Sequence, residues 1–372
     1  MKYIVKEVSN NDELKEFCQF QNKLYANNET YVPTLDYDQM SALSKSPCLE
    51  YCARKLFLAY SESQRVVGRC CAIINLRYNI LNNVRRMSFG WTDFIDDYEV
   101  FRAMMDKAVE WGRDEGVTEI HGPVGYNSLY QQGMVIEGFN NVPRFNNLYN
   151  AAYYPNFVEK YGFRKESDLI QYKLHGQLGV SEEMERRGED FMRKSGLRTV
   201  KMPKFRKQKG AVARFFEQYN ASLSDIRDFT PLTDSEISQE GAKLLARSNN
   251  NLSCLIVDQK NEVAAFAICL GDMSEALRKA NGSRWPWGWR YLKKSQKEFQ
   301  DVDLMMTGFN PKYKGTDIVA ACQSALSAMF KAQSVRYCIT NPLFEGSEAL
   351  KAWDGYTNKE PYIRRRRYIM SI

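Results

Sequence analysis

"DVDLMMTGFNPKYKGTDIVAACQSALSAMFKAQSVRYCITNP", residues 301–342, decides the fold because it contains one complete strand–turn–helix–strand unit. The apolar strand is followed by a short turn with Pro, Lys and Gly. A helical period then places four residues on one face: Ile318, Cys322, Ala325 and Met329. This order predicts two neighbouring parallel strands with a right-handed crossover. Because free N–H groups at a helix start favour negative charge, the turn is a candidate phosphate-binding site.

The same order occurs earlier in the chain, at residues 86–125. There the helical face consists of Val100, Met104, Ala108 and Trp111. A strand–turn–strand pattern, typical of a hairpin, precedes each unit, at residues 56–75 and 252–272. The chain therefore contains the same pattern twice.

The repeat predicts an α/β fold with mixed sheets, built from two tandem domains. The expected bounds are an N-terminal domain at 1–176, a basic joint at 177–210 and a C-terminal domain at 211–372. One continuous α/β domain with a coincidental repeat is the alternative.

Composition narrows the class of protein. The 372 residues are 44% hydrophobic and 26% charged, which predicts a packed core. No apolar run reaches the length of a membrane span, and the first residues lack a signal-peptide pattern, so we expect a cytoplasmic protein, with the inner face of the membrane as a place of peripheral contact. The cysteines are odd in number and scattered, which favours reduced, buried thiols over a metal site.

The net charge of +7 is concentrated in two stretches. Residues 193–210 contain eight basic residues and no acid, and "RRRR" occupies 364–367. Such clusters suit the phosphates of a cofactor, an acidic carrier protein or an anionic membrane face, and they also occur as solvated surface. Since no nucleic-acid-binding motif is present, a nucleic-acid partner is not expected.

A hairpin followed by strand, turn, helix and strand resembles the GNAT acyltransferase fold, in which this turn holds the pyrophosphate of coenzyme A. The resemblance implies that the donor-binding residues of this chain are Phe309, Tyr313, Lys314, Gly315, Thr316 and Asp317. Asp317 departs from the family pattern, which has a glycine there, and its carboxylate would repel a phosphate. The N-terminal copy, "TDFIDDYEVF" (92–101), has acids and no glycine, so its turn looks lost.

Residues 122–174 carry a narrower resemblance, through "GPVG", "EGF", "YNAAYY", "YGF" and "SDL". This segment resembles a bacterial family of tandem GNAT-like proteins, some of which resemble bacterial ceramide synthases. The resemblance implies an N-acyltransferase that moves an acyl group from acyl-CoA or an acyl carrier protein to an amine, with a sphingoid base as a candidate acceptor. It implies no tightly bound cofactor beyond the thioester co-substrate.

The long connection in this segment supplies candidate site residues. Glu137 is a candidate base, since desolvation beside apolar residues would make it a stronger base, although capping and surface carboxylates are common. Tyr153 and Tyr154 are candidate acids, and Tyr-Tyr-Pro also starts a helix well. The position of the usual GNAT tyrosine falls on Val158. The candidate substrate-binding residues are Tyr126, Asn127, Tyr149, Asn150, Asn341 and Glu345, and the asparagines also suit turns.

"RWPWGWRYL" (284–292) is a candidate wall of an acyl tunnel, a candidate bilayer contact, or an aromatic plug between domains. Two other functions fit the same fold. One is a transfer from aminoacyl-tRNA, as in Fem-like peptidoglycan-bridge enzymes, and the other is a non-catalytic ligand-binding or regulatory protein.

Overall fold

The structure is a computed structural model, and it describes residues 3–144, 147–226 and 229–372. Strands and helices follow the chain in this order: β1 (Ile4–Glu7), α1 (Asn11–Leu24), α2 (Asp36–Lys45), β2 (Cys52–Tyr60), β3 (Val66–Asn75), α3 (Leu76–Asn82), β4 (Arg86–Phe94), α4 (Tyr98–Asp114), β5 (Glu119–Gly122), β6 (Met134–Glu137), α5 (Tyr154–Tyr161), β7 (Arg164–His175), α6 (Glu182–Ser195), β8 (Arg198–Thr199), α7 (Met202–Arg206), α8 (Ala211–Ser222), α9 (Asp234–Glu236), α10 (Ala242–Arg247), β9 (Cys254–Val257), β10 (Val263–Gly271), α11 (Ser274–Ala280), α12 (Gly288–Ser295), β11 (Asp301–Phe309), α13 (Ile318–Ala332), β12 (Tyr337–Ile339), β13 (Leu343–Phe344), α14 (Glu348–Lys351) and β14 (Lys359–Ser371).

The chain forms two compact units, and neither is one continuous stretch. Unit 1 consists of Met1–Leu169, Ser274–Leu292 and Ile363–Ile372, and unit 2 consists of Ile170–Met273 and Lys293–Tyr362. These units are drawn differently from the domain bounds expected from the sequence, which stay a prediction. The difference arises because two later segments return to unit 1, and local sequence patterns carry no record of such long-range contacts.

Unit 1 contains a mixed sheet in the order β1-β2-β3-β4-β5-β14. Strands β4 and β5 are parallel and are joined by α4, while the hairpin β2–β3 is antiparallel. The last strand of the chain pairs with β5 at Tyr368–Ser371 and with β6 at Arg364–Arg366. The four residues predicted to share the inner face of α4 are all buried, as the helical period requires: Val100, Met104, Ala108 and Trp111.

Unit 2 repeats this arrangement in the order β8-β9-β10-β11-β12-β7. Strands β11 and β12 are parallel and are joined by α13, and β9–β10 form the hairpin. The predicted fold class, mixed α/β with two copies of hairpin and strand–helix–strand, is therefore confirmed. The buried face of α13 is rotated from the predicted one, because Leu326 and Phe330 are fully buried while Ala325 and Met329 are half-buried.

All nine cysteines are free and buried, which confirms the predicted burial of the thiols. Burial raises the pKa of the Cys70 thiol to about 12 and that of Cys18 to about 11, so both stay protonated near neutral pH. Among the described residues, no group of three or more His, Cys, Asp or Glu is arranged to hold a metal ion. None of the helices in those ranges is both long and apolar enough to cross a membrane.

Candidate functional site

The parallel pairing in unit 2 ends at the point where a GNAT-like site is expected. Strand β11 pairs with β12 at Asp301–Asp303 and then continues past the end of β12 to Phe309, with its other edge still paired with β10. A β-bulge between Ile268 and Cys269 of the neighbouring β10 leaves Met305 of β11 outside the ladder. Bulges commonly re-aim backbone groups beside active sites. In unit 2 the β12 side of β11 is thus unpaired with β12 beyond Asp303, and the register with β10 skips Met305 close to that point.

The predicted phosphate turn follows β11 directly. The side-chain oxygen of Asn310 accepts from the backbone N–H of Lys312 at 3.0 Å, and Thr316 Oγ1 donates to the carbonyl of Tyr313 at 2.7 Å. Gly315 has φ +80°, and, its chain neighbours aside, no atom of the described residues lies within 4 Å of the place where a Cβ would stand. A side chain at this φ would be strained, so glycine suits the turn. The turn is held by its own hydrogen bonds, and Gly315 borders open space.

The N-terminus of α13 carries no acid in its first turn. Within the described structure the Asp317 carboxylate does not cap the helix, and its Oδ1 instead accepts from Arg187 of α6, with Nε at 3.0 Å. Because Arg187 neutralises it, Asp317 repels an anion less than the sequence suggested. The sequence analysis missed Arg187, which lies 130 residues away in the chain. The first-turn N–H groups therefore keep the positive end of the helix dipole available.

Lys314 lies at the surface of this turn. Its Nζ is 2.9 Å from Asp225 Oδ2, and the two side chains are 71% and 78% exposed. An ion pair this exposed contributes little free energy, so Lys314 is able to exchange its partner for a phosphate at small cost. Of the other predicted donor-binding residues, Phe309 and Tyr313 are half-buried and Thr316 is exposed.

The equivalent turn in unit 1 differs. Asp97 caps α4 by accepting from the N–H of Glu99 at 2.9 Å, and Tyr3 donates to the same Asp97 carboxylate at 2.8 Å. Glu99 adds a second carboxylate to the first turn. Since these groups already satisfy the helix dipole and would repel a phosphate, unit 1 offers no comparable anion site at α4.

The end of β4 is also closed by tyrosines. The backbone N–H of Phe94 donates to the hydroxyl of Tyr154 at 2.8 Å, and Tyr153 donates to the Phe94 carbonyl at 2.5 Å. Tyr25 donates to Tyr154 at 2.6 Å, and the Tyr154 and Phe94 rings stack with centroids 4.0 Å apart. Burial raises the pKa of Tyr154 well above its usual value. The two candidate acids are thus fixed by structural hydrogen bonds, and their catalytic role stays a prediction.

Strand β6 ends at Glu137, whose side chain is exposed and whose backbone lies opposite Arg364 of β14. The desolvation that the sequence argument assumed for this candidate base is therefore absent at the described position. Glu345 is likewise exposed. Neither position contradicts a role in binding or proton transfer, and both assignments stay predictions.

The other candidate substrate residues are mostly engaged in holding the chain. Asn150 is 1% exposed and brackets Val135 by accepting from its N–H at 2.7 Å and donating to its carbonyl at 3.2 Å. Asn127 accepts from the N–H of Leu129 at 2.8 Å, which is turn chemistry. The Tyr149 ring packs on Tyr25 with centroids 4.7 Å apart.

Tyr126 and Asn341 differ from these residues. The Tyr126 side chain is 2% exposed, and within the described ranges its hydroxyl has no hydrogen-bond partner. The side-chain oxygen of Asn341 is also buried and has no hydrogen-bond partner among the described residues, and Asn341 closely follows the end of β12 in unit 2. An unsatisfied buried polar atom at such a place is a candidate contact for a ligand.

The arginine run of β14 is a structural network. Arg364 Nε and Arg366 Nε lie 2.9 and 2.8 Å from the two oxygens of the buried Asp168. Burial opposes ionisation, but hydrogen bonds from Arg366, Lys165 and Arg364 lower the pKa of Asp168 to about 2. The expectation that this run contacts phosphates or a membrane is therefore wrong for these arginines, because tertiary contacts supply their counter-charges.

The other two arginines of the run are buried. Arg365 is 0% exposed and donates to the Leu148 carbonyl, and burial lowers its pKa to about 9. Arg367 Nε is 2.9 Å from Glu166. Burial opposes ionisation of Glu166, but the hydrogen bond with His121 and the positive charges nearby lower its pKa to about 2.

Comparisons with known proteins agree with this geometry. No protein-family model matches the chain. The chain is 25% identical over 379 residues to protein YghO of Escherichia coli (strain K12), covering 99% of this chain and 95% of that protein. It is 28% identical over 285 residues to the bacterial ceramide synthase of Caulobacter vibrioides (strain NA1000 / CB15N), covering 75% of this chain and 73% of that protein.

Two solved structures share the fold. One is a tandem GNAT protein from the clavulanic acid biosynthesis pathway, 12% identical with a TM-score of 0.56, matched over 99% of this chain and 98% of that one. The other is the GCN5-related glucosamine N-acetyltransferase region of a fungal multi-domain β-N-acetylglucosaminidase, 13% identical with a TM-score of 0.60. That match covers 99% of this chain and 38% of the fungal chain. The chain therefore has the tandem GNAT N-acetyltransferase fold, and over 75% of its length its sequence is similar to a bacterial ceramide synthase.

Proposed function

We propose that the chain is an N-acyltransferase that moves an acyl group from a thioester donor, acyl-CoA or an acyl carrier protein, to an amine of the long-chain sphingoid-base class. The observation that carries the proposal is the open, uncapped turn between β11 and α13 in a fold shared with N-acetyltransferases. The name of the ceramide synthase relative supports a lipid amine as acceptor.

Both donors present a phosphate joined to a pantetheine arm, and unit 2 has features suited to each part. The N–H groups at the start of α13 and the ammonium of Lys314 favour the phosphate. Beyond Asp303 the β12 side of β11 is not paired with β12, which leaves an edge along which an extended arm is able to pair with backbone groups. We therefore assign donor binding to unit 2.

Amide formation requires a deprotonated amine, hydrogen-bond donors for the tetrahedral oxyanion and a thiolate that leaves. The bulge at Met305 supports a backbone N–H as the oxyanion donor. The amine proton goes to a base, for which Glu137 is the predicted residue. Because Glu137 is exposed, its burial gives no support for this role, and kinetic measurements on a Glu137 variant have to test it. The leaving thiolate takes its proton from solvent or from a tyrosine.

Mass spectrometry of the reaction mixture tests the proposal. Purified chain is incubated with a long-chain sphingoid base and either palmitoyl-CoA or a palmitoyl carrier protein. A new amide is expected with one of the donors. Val319→Asp, which adds a carboxylate to the first turn of α13, is expected to lower the amide yield, while Lys243→Gln on the exposed surface of α10 changes the charge by the same amount and leaves the yield unchanged.

The predicted base is tested in the same assay. Glu137→Gln is expected to lower the turnover number at least about a hundredfold, because general bases typically contribute that much, and the equally exposed Glu62→Gln is the matched control. An active Glu137→Gln enzyme would remove this residue from the mechanism. Absence of amide from both donors, with folded protein, would contradict the proposed activity.

A further inference from the structure

A group of exposed aromatic side chains lies on unit 1, and neither the core nor the proposed reaction uses it. We call it the tryptophan surface, and its members, with exposed fractions of 78%, 55%, 42%, 38% and 65%, are Trp285, Trp287, Trp289, Tyr291 and Tyr37. The hypothesis of an aromatic plug between domains is wrong for these tryptophans, since a plug would be buried. Of the other three tryptophans, Trp111 and Trp353 are only 8% and 3% exposed, and Trp91 is half-buried.

The segment that presents the tryptophan surface is firmly attached to unit 1. Helix α11 buries its apolar face, and Arg278 donates to the carbonyls of Glu29 and Tyr31 at 2.7 and 3.1 Å. The Gly282 carbonyl accepts from the N–H of Asp36 at 2.9 Å. The aromatic side chains are therefore displayed from an anchored base, and their exposure is not that of a loose loop.

Basic residues are interleaved with the aromatic ones. The guanidinium carbon of Arg290 lies 4.5 Å from the Trp287 ring centroid and 5.4 Å from that of Trp289, so these three side chains form one cluster. Arg284 lies over the Tyr37 ring at 5.8 Å. Helix α12 continues with Lys293 and Lys294, and residues 284–294 contain no acid.

Acidic neighbours offset part of this charge. Arg284 is paired with Asp38 at 2.8 Å, and Lys294 is paired with Glu298 at 3.3 Å. Arg290 and Lys293 supply the remaining positive charge of the segment. Tryptophan and tyrosine favour the boundary between lipid headgroups and acyl chains, and nearby basic residues add attraction to anionic lipids.

We propose that the tryptophan surface docks the chain on an anionic lipid bilayer, with the tryptophan rings at the headgroup boundary and Arg290 and Lys293 against lipid phosphates. This inference rests on the exposure and charge of the segment and does not depend on the proposed acyl transfer. It gives the chain peripheral contact with a membrane through the segment at 284–293.

Vesicle flotation tests the proposal. The full chain is mixed with vesicles of phosphatidylcholine and phosphatidylglycerol in a three-to-one ratio, and with phosphatidylcholine alone, across a range of salt. The chain is expected to float with the anionic vesicles and to dissociate as salt rises. Arg290→Gln and Lys293→Gln are each expected to weaken binding about fivefold, the effect of one basic residue near such a surface.

The aromatic contribution is tested by the triple variant Trp285→Ala, Trp287→Ala, Trp289→Ala, which is expected to bind at least tenfold more weakly. Its matched control is Ile80→Ala with Leu81→Ala, which removes two side chains 78% and 59% exposed elsewhere on unit 1 and should change binding less than twofold. Brominated lipids provide a test without mutation, because they should quench the exposed tryptophans of the wild-type chain on binding.

Three outcomes would overturn the proposal. They are absence of flotation with anionic vesicles, equal flotation of the wild type and the triple variant, and flotation without quenching by brominated lipids. Loss of acyl carrier protein binding in the triple variant, with no vesicle binding by the wild type, would instead assign the surface to an acidic protein.

Discussion

The two strand–helix–strand units begin from similar sequences and end in different chemistry. Strand β4 closes with Thr-Asp-Phe at 92–94, and β11 closes with Thr-Gly-Phe at 307–309. In unit 1 these three residues are buried, while in unit 2 they are half-exposed. The comparison shows that the two copies share a scaffold but differ at the end of the central strand, which is buried in the core of unit 1 and partly exposed in unit 2.

The single change from Gly308 to its counterpart Asp93 accounts for much of this difference. Asp93 Oδ2 lies 2.7 Å from Arg69 Nε, with side chains 2% and 1% exposed. In unit 2 the residue opposite Gly308 is Phe266, and a Cβ at Gly308 would stand 2.6 Å from that ring. One copy therefore has a buried ion pair where the other has an aromatic ring against a glycine.

The largest expected effect breaks the closed end of unit 1. Asp93→Ala leaves Arg69 buried without its carboxylate, and we expect the free energy of unfolding to fall by about 3–5 kcal/mol. Urea unfolding measures this loss. Glu7→Ala, which breaks the exposed pair with Lys55, is the control and should cost less than about 1 kcal/mol. Equal losses in the two variants would contradict the role of burial.

The second largest expected effect is a difference between the two units in how much stability they lose at low pH. The pKa of Glu166 is lowered from 4.5 to about 2, so its stabilisation is complete above pH 4.5 and is lost as the pH falls toward 2. Burial also lowers the pKa of His121 below 6.5, so the contribution of His121 to stability likewise decreases as the pH falls. By pH 3 we expect Glu166 to have lost about 2 kcal/mol of stabilisation.

Hydrogen exchange between pH 7 and pH 3 measures this acid effect. The amides of β14 and β5 in unit 1 are expected to lose protection before those of β10 and β11 in unit 2. Glu166→Gln should reduce stability at neutral pH and flatten its dependence on pH. Loss of protection in unit 2 first would show that another group governs acid unfolding.

The role of the open turn of unit 2 is tested by introducing a carboxylate like the one that α4 of unit 1 carries in its first turn. Val319→Asp places a carboxylate in the first turn of α13, as Glu99 does in α4, so the helix should remain stable. Donor affinity is expected to fall about tenfold through repulsion of the phosphates. Calorimetric titration with acyl-CoA or a carrier protein measures it, and Glu99→Gln is the matched control. Unchanged affinity in Val319→Asp would place the donor elsewhere.

The smallest expected effect concerns Lys314. Lys314→Ala removes an exposed ion pair with Asp225, so the free energy of unfolding should change little. Donor affinity should nonetheless fall severalfold, since the ammonium is available to a phosphate. Asp225→Ala separates the two roles, because it breaks the same pair and should leave donor binding equal or stronger.

Sequence patterns were sufficient for the elements and their repetition. The periods of α4 and of the hairpins are local, and local spacing is what a helix or strand imposes on apolar residues. The same reasoning missed the partner of Asp317, because Arg187 belongs to a distant helix. It also treated the arginines at 364–367 as surface charge, although Asp168 and Glu166 neutralise most of them.

The candidate site was harder to predict than the fold. Asn127 and Asn150 have the polarity of substrate ligands, and the structure uses them for turn and backbone contacts. Glu137 was chosen for a buried setting that it does not have. Burial and hydrogen-bond geometry depend on side chains from several elements, so the type of a residue does not fix whether its polar atoms are available.

The sequence by itself determined the tandem mixed α/β fold, the altered turn after β11 and the aromatic segment at 284–292, because these are properties of contiguous residues. Only the tertiary structure decided that one turn is capped by acids and the other is open, that three of the four arginines at 364–367 pair with carboxylates, and that the tryptophans of 284–292 are exposed. The physical reason is that charge neutralisation and exposure are set by contacts between residues far apart in the chain, and solvation free energy follows those contacts.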